Sequence, residues 1–418
     1  MKKTRRTITV DSRVDYGVIL PVFLLSIIGM LSLYVALVHD PNHVNVTTMM
    51  IRQAAWYGVG IFLVFIVIHM SSRILWKLTP LFYIGGLGLM LLPIFFYDPV
   101  MAARTGSRNW VAIGSTNLFQ PSELVKIAFI LILAYLITQH NAFYTTRTLK
   151  TDFWLIGKMV GVTIPVMLTL GLQSDFGTGL VYIAILAGMI FLSGISWRIL
   201  LPVFLGTVIL GTVTILLVLH PAGRDLLYQI GFQKYQFARI DSWLDPFHDT
   251  SGVSFQQARA LIAIGTGQLF GTGFNNVSTY VPVRESDMIF TVIGENFGFI
   301  GSTIVILLFF VLIYRMIRVT FESNNQYYTS IATGVIMMIL FHVFQNIGAN
   351  IGLLPLTGIP LPFISQGGSS IVSNLIGVGL ILSMRYHTKP DYENWQKQRD
   401  VQMTNRNEQR KQRRVTNR

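Results

Sequence analysis

The stretch "YGVILPVFLLSIIGMLSLYVALV" (16–38) contains no Asp, Glu, Lys or Arg. A helix rises about 1.5 Å per residue, so this run is long enough to cross the roughly 30 Å of a bilayer's hydrocarbon core. Its apolar residues are continuous rather than alternating with polar ones, which excludes the strands of an outer-membrane barrel. Comparable runs recur near 54–70, 78–97, 121–139, 155–172, 178–195, 199–219, 288–314, 328–349 and 367–385. The sequence therefore predicts an all-α, polytopic integral membrane protein of about ten transmembrane helices. A large extracytoplasmic loop, 220–287, separates the seventh helix from the eighth. The first run is longer than a signal-peptide core and no small-residue cleavage site follows it, so it reads as an uncleaved anchor.

Composition points the same way. Of 418 residues, 52% are hydrophobic and only 12% charged, half the charged share of soluble domains, about 25%. The absence of cysteine excludes disulfides, thiolate metal sites and cysteine nucleophiles. The net charge of +13 would suit a nucleic-acid partner, but most of it lies in two tails. Residues 1–15 hold five basic and two acidic groups, and residues 385–418 hold ten and four. Such tails suit anionic lipid headgroups, and no nucleic-acid partner is expected. The division is a basic N-terminal tail (1–15), a membrane domain (16–385) and a basic tail (386–418) that reads as disordered.

Basic residues in short loops set the orientation. Arg73 and Lys77, then Arg147, Lys150 and Lys158, then Arg198, then Arg315 and Arg318 share one side with the N-terminal cluster. The opposite short loops hold only Arg52, Arg104 and Arg108. Both termini are thus expected in the cytoplasm. The loop 220–287 is far longer than the roughly 15 residues above which loops are usually functional or disordered. Its content of Trp243, Phe255, Leu261, Ile262, Ile264, Leu269 and Phe270 predicts folded structure, with an amphipathic or re-entrant helix from Gln256 to Leu269 that ends at Gly271. The glycines of "GTGQLFGTG" (265–273) lack the preceding strand and following Lys-Ser/Thr of a phosphate loop, and read as helix termination and turns.

Three polar constellations stand out. Glu123 and Lys126 share a helix face after Pro121, either as a structural ion pair or as a functional pair. Glu295, His342, Gln345, Asn346 and Asn350 read as interhelical hydrogen-bonding groups, and His342 lacks the companions a metal ligand needs. On the outer side lie Arg104, Arg108, Trp110, Gln236, Arg239, Arg284, Glu285 and Asp287. Guanidinium groups there suit an anionic amphiphile, or ordinary lipid headgroups.

Five segments occur in order: "RNWVAIGSTNLFQPSELVKIAF" (108–129), "QSDFGTG" (173–179), "RIDSWLDP" (239–246), "ESDMIFTVIGENFGFIG" (285–301) and "NIGANIGLLPLTGIPLPFISQGGSS" (346–370). Together they resemble the SEDS family of bacterial cell-wall polymerases, the group of RodA and FtsW. The Ile-Pro after Gly358 is more similar to the RodA branch. The resemblance implies a peptidoglycan glycosyltransferase of the cytoplasmic membrane that polymerises lipid II, the undecaprenyl-pyrophosphate-linked disaccharide-peptide, for cell elongation and shape. It implies Asp287 as the catalytic general base. It also implies substrate contacts at Arg108, Trp110, Glu123, Lys126, Gln236 and Arg239. Partners would be a class B penicillin-binding protein transpeptidase and other membrane proteins of the elongation machinery. Inverting attack on a pyrophosphate-bearing sugar needs one base, and a positive charge from Arg, Lys or a divalent cation for the leaving group; no metal-binding residues are assigned. Departures from the family pattern include Asn109 in place of a basic residue before Trp110, and Leu118 and Phe119 in place of another. A lipid II flippase, an FtsW-type division polymerase and a non-catalytic transpeptidase scaffold are the alternatives.

The loop asymmetry gives an expected outcome. A reporter fused after Arg418 is active only in the cytoplasm, and one inserted at Asp249 only outside it. A cytoplasmic signal from Asp249 would overturn this topology.

Overall fold

The computed structural model describes residues 14–114, 116–229, 234–249 and 254–388. The chain runs through α1 (Tyr16–Val38), α2 (Val46–Ile68), α3 (Ser72–Phe95) and α4 (Pro99–Thr105) into a short antiparallel hairpin, β1 (Val111–Ile113) and β2 (Thr116–Phe119). There follow α5 (Pro121–Phe143), α6 (Leu149–Leu172), α7 (Phe176–Leu192) and α8 (Trp197–Leu219). Three shorter helices come next: α9 (Pro221–Gln229), α10 (Lys234–Leu244) and α11 (Phe255–Thr266). The chain ends in α12 (Ile289–Ser323), α13 (Gln326–Asn350) and α14 (Gly368–His387). Among the described residues nine helices are long and apolar enough to cross a membrane, and α7, at 17 residues, is the short tenth. The protein is a multi-pass membrane protein of the architecture its hydropathy predicts.

Local chemistry sets the helix starts. Asp15, Asn45 and Asp175 each accept a hydrogen bond from a first-turn backbone N–H, at 3.2, 3.0 and 3.1 Å. Pro121 opens α5, where its missing N–H costs nothing. Helix α2 begins at Val46, well before the predicted 54, because Asn45 caps a polar first turn that a hydropathy window passes over. Helices α5, α13 and α14 form the interior, whereas α2 and α8 turn most of their apolar surface outward. The fold is thus apolar on its rim and carries its polar side chains within.

Helix α12 also extends beyond the predicted span and is broken at Gly298 (φ 63°, ψ −158°). Hydrocarbon offers no water to satisfy a broken ladder. Here the segment after α11 supplies the partners. Phe299 and Ile300 donate their N–H groups to the carbonyls of Gln268 and Leu269, at 2.9 and 3.2 Å. In return Thr272 and Gly273 donate to Glu295 and Asn296, at 2.8 and 3.2 Å. The close approach is what the glycines of "GTGQLFGTG" provide: a Cβ at Gly267 would strike the Gly294 carbonyl, and one at Gly271 (φ 86°) the Asn296 carbonyl. The expected helix in this region ends at Thr266, capped by Gly267, somewhat earlier than predicted.

The carboxylate of Glu295 fastens the rest of the loop. It accepts from Ser278 N and Oγ (2.8 Å each), from Thr279 N (3.0 Å) and from Arg284 Nη2 (2.9 Å), with both charged side chains buried. Arg284 therefore does not face headgroups, as its outer position suggests; a fully enclosed carboxylate takes its charge.

A Gly298→Ala substitution places a Cβ in a backbone region that essentially only glycine occupies and drives it into Leu269. The expected loss is about 2 kcal/mol or more, read as a lower melting temperature in detergent. Gly58→Ala, in α2 with open space around it, should leave stability equal or slightly higher.

Candidate active site

Residues from 109–110, 117–120, 175–178 and 357–370, with Ser286 just before α12, line two adjoining cavities at one end of the bundle, and Asp287 lies beside them. Asp287 sits two residues before α12, and its backbone is held from three directions. Asn346 and Asn350, one turn apart on α13, both donate their side-chain N–H groups to the Asp287 carbonyl, at 2.7 and 3.0 Å. Ser365 Oγ donates to the Ser286 carbonyl (2.6 Å), and Gln366 N to the Glu285 carbonyl (2.8 Å). Gln345, Asn346 and Asn350 of α13 thus act as hydrogen-bonding groups, but their partners are loop carbonyls rather than neighbouring helices. Asp287 Oδ1 is out of water and has no hydrogen-bond partner among the described residues. Burial pushes this carboxyl up to about 6; a hydrogen bond from its own backbone opposes the rise, the charge of Glu285 adds to it and that of Arg239 opposes it.

The first cavity, about 160 Å³, is walled by Trp110, Glu123, Asp175, His342 and Gly358 among others. Asp287 lies just behind this wall: a Cβ at Gly358 (φ 75°) would come within 3.9 Å of Asp287 Oδ2. Glu123 Oε2 accepts from Lys126 Nζ at 2.8 Å, and Lys126 also meets His342 Nε2 at 3.0 Å. His342 Nδ1 lies 2.6 Å from the Met338 carbonyl. A carbonyl can only accept, so Nδ1 carries the proton and Nε2 accepts from the ammonium. Lys126 is enclosed behind Glu123 and His342, which face the cavity in its place.

Asp175 organises the opposite wall. Its Oδ2 accepts from Asn109 Nδ2 (2.8 Å), Gln120 Nε2 (2.9 Å) and Thr178 Oγ1 (2.9 Å). The bond to Asn109 fixes the residue before Trp110, and Arg108 N donates to the Gln173 carbonyl at 2.9 Å. The guanidinium of Arg108 points elsewhere, over the Tyr97 ring at 4.9 Å, and does not line this cavity. Arg239 Nη1 donates to the Leu356 carbonyl at 3.2 Å, and Trp243 Nε1 to the Gly352 carbonyl at 3.1 Å, so α10 docks on the 351–357 loop beside Asp287. The side chains of Gln236 and Arg104 lie outside the described residues. Asp175, Asn109, Gln120 and His342 are residues of this site that the sequence does not single out as substrate contacts, although "QSDFGTG" contains Asp175 and "RNWVAIGSTNLFQPSELVKIAF" contains Asn109 and Gln120. No group of three His, Asp or Glu among the described residues could hold a metal ion.

The geometry is that of a membrane bundle with a polar, carboxylate-bearing cavity at one end. The family model "Cell cycle protein" (FtsW/RodA/SpoVE) matches residues 16–390, and the chain belongs to this family, the SEDS membrane glycosyltransferases. It is 34% identical over 344 residues to stage V sporulation protein E of Bacillus subtilis, covering 81% of this chain and 87% of the relative. It is 30% identical over 356 residues to a probable peptidoglycan glycosyltransferase FtsW of Hydrogenovibrio crunogenus, covering 84% of each. Among solved structures it is similar to a chain described under the structural coordination of polymerization and crosslinking by a peptidoglycan synthase complex. That match has TM-score 0.70 and 26% identity over 90% of this chain and 98% of that one. The rod shape determining protein RodA of Thermus thermophilus matches with TM-score 0.62 and 25% identity, over 90% and 98%.

Removing one partner of a buried ion pair costs about 3–5 kcal/mol, because the other charge is stranded. Lys126→Met should therefore lower stability by that amount, and adding Glu123→Gln to it should restore most of the loss. Thermal unfolding of the two single variants and the double variant measures the coupling; additive losses would show that the pair is not bonded as described.

Proposed function

We propose that this protein polymerises lipid II into β-1,4 glycan strands at the extracytoplasmic face of the bacterial cytoplasmic membrane, with Asp287 as general base. The observation that carries this reading is the Asp287 carboxyl, whose backbone is fixed by Asn346, Asn350 and Ser365 while Oδ1 is left without a partner. A base must be rigid, and it must be free to take a proton. In the reaction a sugar hydroxyl attacks the anomeric carbon of the donor from the side opposite its pyrophosphate. The bond from that carbon to the phosphate oxygen breaks, configuration inverts, and Asp287 takes the hydroxyl proton. The pyrophosphate leaves as an anion, so one carboxylate suffices where a glycosidase uses two.

Trp110 and Glu123 wall the sugar, with Lys126 holding Glu123 in place, and Gln236 and Arg239 serve a substrate headgroup on the α10 side. Arg108 is assigned to the rim. The Ile359-Pro360 pair after Gly358 favours the elongation branch, as in RodA, over the division branch. A transpeptidase of the penicillin-binding class is the assigned partner, supported by the likeness to a chain from a complex that couples polymerization to crosslinking. The termini lie in the cytoplasm, following the basic residues of the loops.

Purified protein given lipid II should yield polymer; transport across proteoliposomes without polymer would favour a flippase. Asp287→Asn keeps size and hydrogen bonding but removes basicity, so strand synthesis should fall about 10²–10⁴-fold while lipid II still binds. Glu285→Gln should retain most activity. The base works as the carboxylate, so kcat/KM should be half-maximal near pH 6 and fall about tenfold per pH unit below, instead of near 4 for an ordinary aspartate. Near wild-type polymerisation by Asp287→Asn would place the base elsewhere.

A further inference from the structure

Lys126 is buried in the interior of the bundle. An ammonium carries three N–H donors, and donors left unmatched away from water are costly. Glu123, one turn earlier on α5, takes one of them at Oε2 (2.8 Å), and His342 of α13 takes another at Nε2 (3.0 Å). The ring is committed to this role by its other nitrogen, because Nδ1–H is spent on the Met338 carbonyl at 2.6 Å. Glu123, Lys126 and the neutral ring together carry no net charge. A second carboxylate in place of the ring would satisfy the ammonium equally well, but it would leave a negative charge at the wall of the first cavity.

The same arrangement decides what that cavity offers. Glu123 and His342 both line it, and Lys126 does not. Glu123 Oε2 is taken by the ammonium, while Oε1 has no hydrogen-bond partner among the described residues. Both ring nitrogens of His342 are engaged, so the ring offers a substrate no polar atom of its own. An ammonium deprived of its second acceptor would turn its spare donors on Glu123 and occupy both carboxylate oxygens. We propose that His342 is a positioning residue for the sugar in the first cavity: by accepting from Lys126 it holds the ammonium on Glu123 Oε2 and leaves Oε1 to receive a substrate hydroxyl. A hydroxyl bonded to an ionised carboxylate is held more strongly than one bonded to a neutral acceptor, so the effect on binding is large although the ring touches nothing that reacts. This assignment rests on the glycosyl-transfer reading above.

Two substitutions separate the two bonds of the ring. His342→Asn can still bond the Met338 carbonyl but is too short to reach Lys126, whereas His342→Gln places an amide oxygen where Nε2 was. With the full chain in detergent and lipid II as the probe, calorimetry should show binding weakened about tenfold in His342→Asn and within about threefold of wild type in His342→Gln. In polymerisation His342→Asn should raise KM about tenfold with kcat little changed, the signature of lost substrate binding. The acid limb of kcat/KM should stay near pH 6 in His342→Gln, because it belongs to Asp287. In a Glu123→Gln background His342→Asn should add no further loss of affinity, since the ring acts through that carboxylate. Lipid II affinity within twofold of wild type in His342→Asn overturns the proposal, as do equal losses in the two variants. An acid limb that moves in His342→Gln also overturns it, by making the ring a titrating group of the reaction. Should His342→Asn fail to fold, His342→Gln decides, and a tenfold loss of affinity there refutes the role. The expected binding pattern without polymer from the wild type would uphold the positioning role while the polymerase reading fails. Polymer formed with affinity independent of residue 342 would do the reverse.

Discussion

A backbone amide in hydrocarbon can bond only to other protein groups, and the break in α12 is where that constraint shapes this molecule most. Once Gly298 interrupts the helix, a second chain segment must come to it. The 266–273 segment does so with reciprocal hydrogen bonds on both sides of the break. That contact fixes where α11 lies. The Glu295 carboxylate, three residues before the break, then binds Ser278, Thr279 and Arg284 and so draws the remaining loop toward the head of α12. Asp287 is delivered at the end of this chain of attachments, and the asparagines of α13 complete it. The site is a consequence of satisfying backbone groups at a break.

The acidic side chains of this end are kept in different electrical conditions. Glu295 and Glu123 are each matched to a buried cation, Arg284 and Lys126, and are neutralised where they stand. Asp175 is held by neutral donors, Asn109, Gln120 and Thr178. Asp287 has a buried oxygen with no donor at all among the described residues, and burial raises its proton affinity. Proton transfer needs the last condition, and scaffolding needs the first two. The distribution of partners separates these carboxylates more sharply than their positions in the chain do.

The long uncharged runs made the bundle legible, because a membrane span depends on local composition alone. Helix ends were less so: α2 begins in the polar turn after Asn45, and α12 continues to Ser323 through Arg315 and Arg318, which a hydropathy window reads as flanks. The β1–β2 hairpin, with strands of three and four residues, is too short to leave a periodic signal. At the site, Glu123 and Lys126 were readable as a pair because helical spacing puts them together. The partnership of Lys126 with His342, or of Asn109 with Asp175, joins residues far apart in the chain and exists only after folding. Arg284 was misread for the same reason, since its position near the surface said nothing of Glu295 beneath it.

Helix α8 stands apart from the rest of the bundle. Of its residues only Ile199, Leu200 and Val218 are buried. Its base is secured, for Ser196 N donates to Asp152 Oδ2 at 2.9 Å, and Arg147 bonds both Asp152 and the Ser193 carbonyl. The other end of this rod, about 35 Å away, is tied as well: Val218 packs with Leu227 of α9 and Phe237 of α10, and Arg224 Nε donates to the Val218 carbonyl at 2.6 Å. Helix α9 starts two residues beyond that end, so α8 is joined to the rest of the protein at its two ends while the length between them presents its side chains outward.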